Sequence, residues 1–162
     1  GIPGRAERSE EGQAFPVVVD NAHTPDSLKA LYEAFKSSEK ICVLGSMGGS
    51  RDKWKRPEMG RIAGEYCAKI ILTNEDPCDD DPESIVEDIA SGIALPASHE
   101  VILNRREAIQ KAIEYARANS AVLITGKGTD ISMKVAGGKS LPWSDAEVAR
   151  EELRSFLANT RK

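Results

Sequence analysis

Short β-branched runs alternate along the chain with longer stretches in which apolar residues recur every three or four positions. That alternation predicts βαβ units on a mostly parallel sheet, since each crossover helix must cover a face of the sheet. Residues 16–20 (PVVVD), 41–45 (ICVLG), 70–73 (IILT), 101–103 (VIL) and 121–125 (AVLIT) read as strands. Between them, Leu28, Leu31, Tyr32 and Phe35 share one helical stripe, preceded by Thr24 as a cap and Pro25 at the first helical position. Met59, Ile62, Ala63 and Tyr66 predict a helix over 57–67. Ile85, Val86 and Ile89 predict one over 82–93, and Ile109, Ala112, Ile113 and Ala116 one over about 105–118. Gly137 and Gly138 suggest a tight turn joining two short extended pieces, and Ser144-Asp145-Ala146-Glu147 is a capping-box pattern opening a last helix to about Ala158. The expected architecture is Rossmann-like α/β: a mostly parallel sheet, helices on both faces and a short hairpin near the C-terminal end.

In an open parallel sheet, ligands bind outside the carboxyl ends of the strands, so the loops that leave those ends carry the chemistry. Four such loops are unusual: 20–25 (DNAHTP), 45–53 (GSMGGSRDK), 73–82 (TNEDPCDDDP) and 126–130 (GKGTD). Parallel strands bring all four to one edge, where carboxylates, glycine-freed backbone N–H groups and Arg51 would share a rim. A rim of both charge signs suits a zwitterion such as a free amino acid, with a guanidinium for its carboxylate and acids for its amines. Taken singly, each feature has a plainer role: glycines permit turns, and acidic runs are commonly solvated.

Composition narrows the classes. The 162 residues carry 22 Lys+Arg against 26 Asp+Glu, and the pI is near 5.3. That balance argues against a nucleic-acid partner. No stretch reaches the roughly 20 apolar residues of a membrane span, and the first five residues lack an apolar signal segment, so a cytoplasmic protein with no membrane partner is expected. Cys42, Cys67 and Cys78 have neither an even count nor metal-ligand spacing, which predicts two core fillers and one loop residue. No G-x-G-x-x-G follows the first strand, Gly126-Lys127 lacks the upstream glycine of a phosphate loop, and no G-x-S-x-G elbow accompanies His23 or His99. The chain shows no self-sufficient ATP, NAD or hydrolase site.

Residues 1–7 (GIPGRAE), 20–25, 48–53 with 55–57 (KRP), Asp76-Pro77 with Asp81-Pro82, 105–109 (RREAI) and 126–128 stand in the order seen in the C-terminal domain of Mur ligases. The sequence resembles that family over nearly its whole length. It is most similar to UDP-N-acetylmuramoyl-dipeptide ligases, which add the third residue of the peptidoglycan stem peptide. The resemblance implies that residues 1–162 form one amino-acid-binding domain whose N-terminal and central partner domains lie outside this chain. Those partners would hold the UDP-sugar peptide, the phosphate loop and Mg²⁺. It implies a reaction in which ATP converts the peptide carboxylate to an acyl phosphate that the amino acid's amine attacks, with no catalytic residue in this domain alone.

By position, Arg5, Asp20, Asn21 and His23 would bind ATP. Arg51 would grip the amino acid's α-carboxylate, and Glu75, Asp76, Cys78, Gly126 and Asp130 would surround its side-chain end. Three departures stand out. Asn21 replaces the family's usual tyrosine, Thr129-Asp130 replaces its His-Glu, and Cys78 occupies the place of the arginine that meets diaminopimelate's second carboxylate. With acids in excess there, the expected amino acid is basic, lysine or ornithine. A non-catalytic binding or regulatory module of the same fold and a folylpolyglutamate-synthetase-like domain are the alternatives.

Overall fold

The structure, a computed structural model, describes residues 4–49 and 52–160. Its strands are β1 (Glu7–Ser9), β2 (Val17–Asp20), β3 (Glu39–Leu44), β4 (Lys69–Leu72), β5 (Glu100–Val101), β6 (Ser120–Thr125), β7 (Ser132–Val135) and β8 (Lys139–Pro142). The helices are α1 (Pro25–Ala34), α2 (Lys55–Tyr66), α3 (Pro82–Ala90), α4 (Arg105–Tyr115) and α5 (Asp145–Thr160). Six strands form one sheet in the order β1-β2-β6-β3-β4-β5, parallel throughout except for β1, while β7 and β8 make a separate antiparallel hairpin.

Strand periodicity divides the core in two. Val18, Cys42, Leu44, Ile70, Leu72 and Leu123 point to one face, where α1, α2 and α3 cover them with Leu28, Tyr32, Met59, Ile62, Ile85 and Ile89. Val17, Val19, Ile41, Val43, Ile71, Val122 and Ile124 point to the other, against Ile109 and Ile113 of α4 and Val148 and Leu153 of α5. Both faces are buried, which is why the central strands read as continuous apolar runs rather than alternating ones.

Helix starts follow their side chains. Thr24 and Ser27 form a reciprocal capping box at α1, Asp81 accepts from Glu83 N at α3, and Asn104 accepts from Glu107 N at α4. α2 begins at Lys55 rather than at the expected Pro57. The proline then lies within the first turn, where its missing N–H costs no helical hydrogen bond.

Two sequence expectations need correction. β1 was not foreseen; its three residues, Glu-Arg-Ser, show no apolar signal, and it exists because β2 offers an open edge, pairing Glu7 with Val19 and Ser9 with Val17. Cys42 and Cys67 are not simple core fillers. They are joined as a disulfide, with Cα atoms 6.3 Å apart, while Cys78 is free as expected. The pair meets because β3 and the end of α2 pack in one core layer, a proximity that sequence spacing does not reveal.

The crossing of α2 and α3 depends on glycine. A Cβ at Gly60 would overlap the carbonyl oxygen of Ile89, whereas a Cβ at Gly64 would make ordinary contacts of 3.6 Å with Ala97 and Ile93. Helix propensity favours alanine over glycine by about 1 kcal/mol at either position, but overpacking against rigid backbone costs about 1–3 kcal/mol. Gly60→Ala is therefore expected to lower stability to urea and Gly64→Ala to raise it slightly. Equal shifts in the two variants would show that the helix crossing is not set at Gly60.

Candidate functional site

Register brings the strand ends level: Asp20 pairs with Thr125, Val43 with Ile124, and Leu44 with Leu72. The loops that follow β2, β3, β4 and β6 therefore open on one edge, around a cavity of about 430 Å³. Its walls include Asn21, His23, Ser46, Met47, Glu75, Asp76, Gly126, Lys127 and Asp130. Six expected site residues thus meet at one cavity. Arg51 lies outside the described residues.

The remaining three stand outside the cavity wall. Arg5 is exposed ahead of β1. Asp20, at the end of β2, accepts from the backbone N–H groups of Ala6 and Ala22, each at 2.7 Å, and so ties residues 4–6 to the α1 entry loop. Cys78 has a positive φ of 53° and donates its backbone N–H to the Lys134 carbonyl at 3.1 Å, on the hairpin side of its loop. On the cavity side, His23 Nδ1 lies 2.7 Å from the Asn21 carbonyl, a contact that requires the proton on Nδ1 because a carbonyl only accepts.

Lys127, which the sequence reading left out of the site, is fully buried beneath it. Its Nζ donates to Asp76 Oδ1 at 2.9 Å and lies 3.5 Å from Asp130 Oδ2. Asp76 also accepts from Lys134 N at 2.7 Å, so the hairpin is fastened to the cavity floor. A lysine between two glycines gave no clue to burial; its signal was the aspartates placed to meet it.

Arg105 is the second residue that sequence reasoning undervalued. Buried at the start of α4, it donates to both carboxylate oxygens of Asp145, at 2.8 and 2.7 Å, and to the carbonyls of Asn74 at 2.9 Å and Thr125 at 2.8 Å. Those carbonyls belong to the residues immediately before Glu75 and Gly126. One guanidinium therefore sets the spacing of two cavity loops, and a planar fork suits that task better than an ammonium.

Glu75 is 5% exposed and packs over Gly126, where any Cβ would overlap its Oε1. Gly126 itself has a φ of 107°, so glycine is required there on both counts. Burial pushes the Glu75 carboxyl up to about 7; Arg105, Lys127 and His23 pull it down, and Asp76 adds to the rise. A deep acid between committed cations, beside the exposed Asp130, can bind a cationic or hydrogen-bonding group.

Residues 4–128 match the family described as "Mur ligase, glutamate ligase domain". The chain belongs to the Mur ligase C-terminal domain family. It is 43% identical over 157 residues to the UDP-N-acetylmuramoyl-L-alanyl-D-glutamate–2,6-diaminopimelate ligase of Gloeobacter violaceus, a match covering 94% of this chain and 32% of that one. A Bacillus cereus protein of the same name is 38% identical over 162 residues, covering 98% and 32%. Among solved structures, a ligase of that name superimposes with a TM-score of 0.88 at 33% identity, over 97% of this chain and 32% of that chain. The Thermotoga maritima folylpolyglutamate synthase shares the fold, with a TM-score of 0.58 at 22% identity over 78% of this chain and 28% of that one. The Mur ligase C-terminal domain spans about a third of the length of the relatives it matches. Among the described residues, no helix is long and apolar enough to cross a membrane.

Proposed function

We propose that this chain is the amino-acid-binding C-terminal domain of an ATP-dependent ligase that joins a third residue to UDP-N-acetylmuramoyl-dipeptide. The observation that carries this reading is the cavity itself, where Glu75 and Asp130 stand as acceptors at the edge onto which four strand-end loops open. The relatives this chain matches are about three times as long as the matched region; in this reading the further two thirds correspond to domains that supply the phosphate and Mg²⁺ sites. In this reading Arg5, Asn21 and His23 would meet the nucleotide, and each Asp20 oxygen, with one backbone donor, keeps capacity to accept a ribose hydroxyl. The domain's work is to bind and orient the amino acid and, on closure, to keep water from the acyl phosphate.

The amino acid carries an ammonium at its side-chain end, and lysine or ornithine is the preferred reading, since Cys78 supplies no cation for a second carboxylate. Diaminopimelate is the second reading. It is favoured by the relatives' names and by the Lys127 ammonium, which offsets Asp76 and part of Asp130.

In the full-length enzyme, Asp130→Asn is expected to raise the KM for the amino acid about tenfold, the worth of one charge-assisted hydrogen bond. The KM for ATP should stay within about twofold on the same argument. Equal changes in both would mean that the cavity does not hold the amino acid. Turnover with lysine, ornithine and meso-diaminopimelate measured side by side decides between the two amino-acid readings.

A further inference from the structure

The two halves of the Cys42–Cys67 disulfide sit in unequal surroundings. Cys42 lies within β3, fully buried, with Ile70 and Leu123 as its neighbours on the adjoining strands. Cys67 closes α2, is half-buried, and lines a surface groove of about 440 Å³ together with Gly64, Ala94, Leu95, Pro96 and Ala97. Leu95 is 91% exposed beside it. Only the Cys67 half of the bond therefore borders solvent.

The bond ties the end of α2 to β3 across 25 residues of sequence. At the other end of α2, Lys55 and Met59 stand in the cavity wall, and Arg56 donates to the Met47 carbonyl at 3.0 Å. One stiff helix thus joins the disulfide to the cavity, and a close-packed core transmits a shift at one end to the other. With apolar layers on both faces of its sheet, the domain is unlike the small scaffolds that depend on a disulfide to fold. ATP and UDP-linked substrates belong to compartments where thiols are kept reduced, and disulfides found there are mostly transient or redox-sensing. The compartment, and no other step, rests on the ligase reading above.

We propose that Cys42–Cys67 is a reversible redox latch on α2, opened by a dithiol that attacks the Cys67 sulfur through the groove. A thiolate of the dithiol bonds to Cys67 Sγ as the Cys42–Cys67 bond breaks, and Cys42 leaves with the electron pair and takes a proton from solvent. The second thiolate of the dithiol then attacks its partner sulfur in the mixed disulfide and releases Cys67, which is protonated in turn. Two electrons and two protons pass to the protein, and the reductant departs as a disulfide. Closed, the latch fixes the α2 wall of the cavity; open, it lets that wall shift and weakens amino-acid binding.

Glutathione, a monothiol that leaves a mixed disulfide, identifies the attacked sulfur. After limited reaction with the 162-residue chain and alkylation of the released thiol, peptide mass mapping should place glutathione on Cys67 and the alkyl group on Cys42. Glutathione on Cys42, or on neither, overturns the proposal. Dithiothreitol should lower the melting temperature by about 5–10 °C, the worth of closing a loop of this length, and reoxidation should restore it. A Cys42→Ala/Cys67→Ala variant should melt at one temperature with or without dithiothreitol, and a wild type that does the same overturns the latch. In the full-length ligase, reduction should raise the KM for the amino acid at least about twofold, the low end of coupling between packed elements, and leave the KM of the double variant unchanged. An unmoved wild-type KM would make the bond a plain staple, overturning the latch while the turnover itself keeps the ligase reading. If no amino acid is joined to the dipeptide in either redox form, the ligase reading fails, and the redox pair stands or falls on the glutathione and melting results.

Discussion

Replacing Arg105 with methionine is expected to destabilise the domain by about 3–5 kcal/mol, the range seen when one partner of a buried ion pair is removed. Both side chains of the Arg105–Asp145 pair are fully buried. The variant would leave Asp145 with Trp143 Nε1, at 2.7 Å, as its remaining side-chain donor, and would strip the Asn74 and Thr125 carbonyls of theirs. The position of Asp145 at the N-terminus of α5 softens the loss by about 1 kcal/mol or less, because the helix end favours an anion. Removing both charges in Arg105→Met/Asp145→Leu should cost less than Arg105→Met alone, since the unpaired buried charge is gone. Urea unfolding of the three proteins reads the difference directly. A single-variant loss below about 1 kcal/mol, the scale of an exposed pair, would show that the pair is effectively solvated.

The same residues explain what the sequence could and could not disclose. Strand and helix identities were legible because each central strand carries β-branched residues on both faces and each helix one stripe, which is local information. Convergence of the four loops was legible too, since parallel strands force it. Partners were not. Asp76, Asp79, Asp80 and Asp81 look alike in the run 73–82, yet each meets a different segment, from Gly49 to Gly137. Reading them as one pool of free charge overstated the case for a basic amino acid, because pairing is decided by tertiary contacts more than 30 residues away in sequence. Arg105 and Lys127 were hidden for the same reason: long polar side chains are mostly exposed, and only the aspartates that meet them make burial tolerable.

Glu75→Gln is expected to stabilise the domain at pH 8 relative to pH 4.5, by up to about 3 kcal/mol when each protein is compared with itself across the two conditions. The carboxyl titrates near 4.5 when unfolded and near 7 when folded, burial being the dominant cause. Below about 4.5 both states are protonated and no penalty exists. Between 4.5 and 7 the unfolded chain releases its proton while the folded chain holds it, so wild-type stability falls as pH rises, and above 7 the loss is constant. A shift of about 2.5 units at 1.36 kcal/mol each sets the upper bound. Glutamine buries a neutral polar group at every pH, as protonated Glu75 does, so the cost of that burial cancels and the pH-dependent part remains. Other titrating groups are common to both proteins and cancel in the same comparison. Urea unfolding of wild type and variant at pH 4.5, 6 and 8 should therefore show a gap that opens with pH and then levels. A gap independent of pH would mean that Glu75 ionises as freely in the folded chain as in water. An opening gap instead identifies an acid whose burial costs stability at the pH where it binds, the usual signature of a side chain kept for its ligand rather than for the fold.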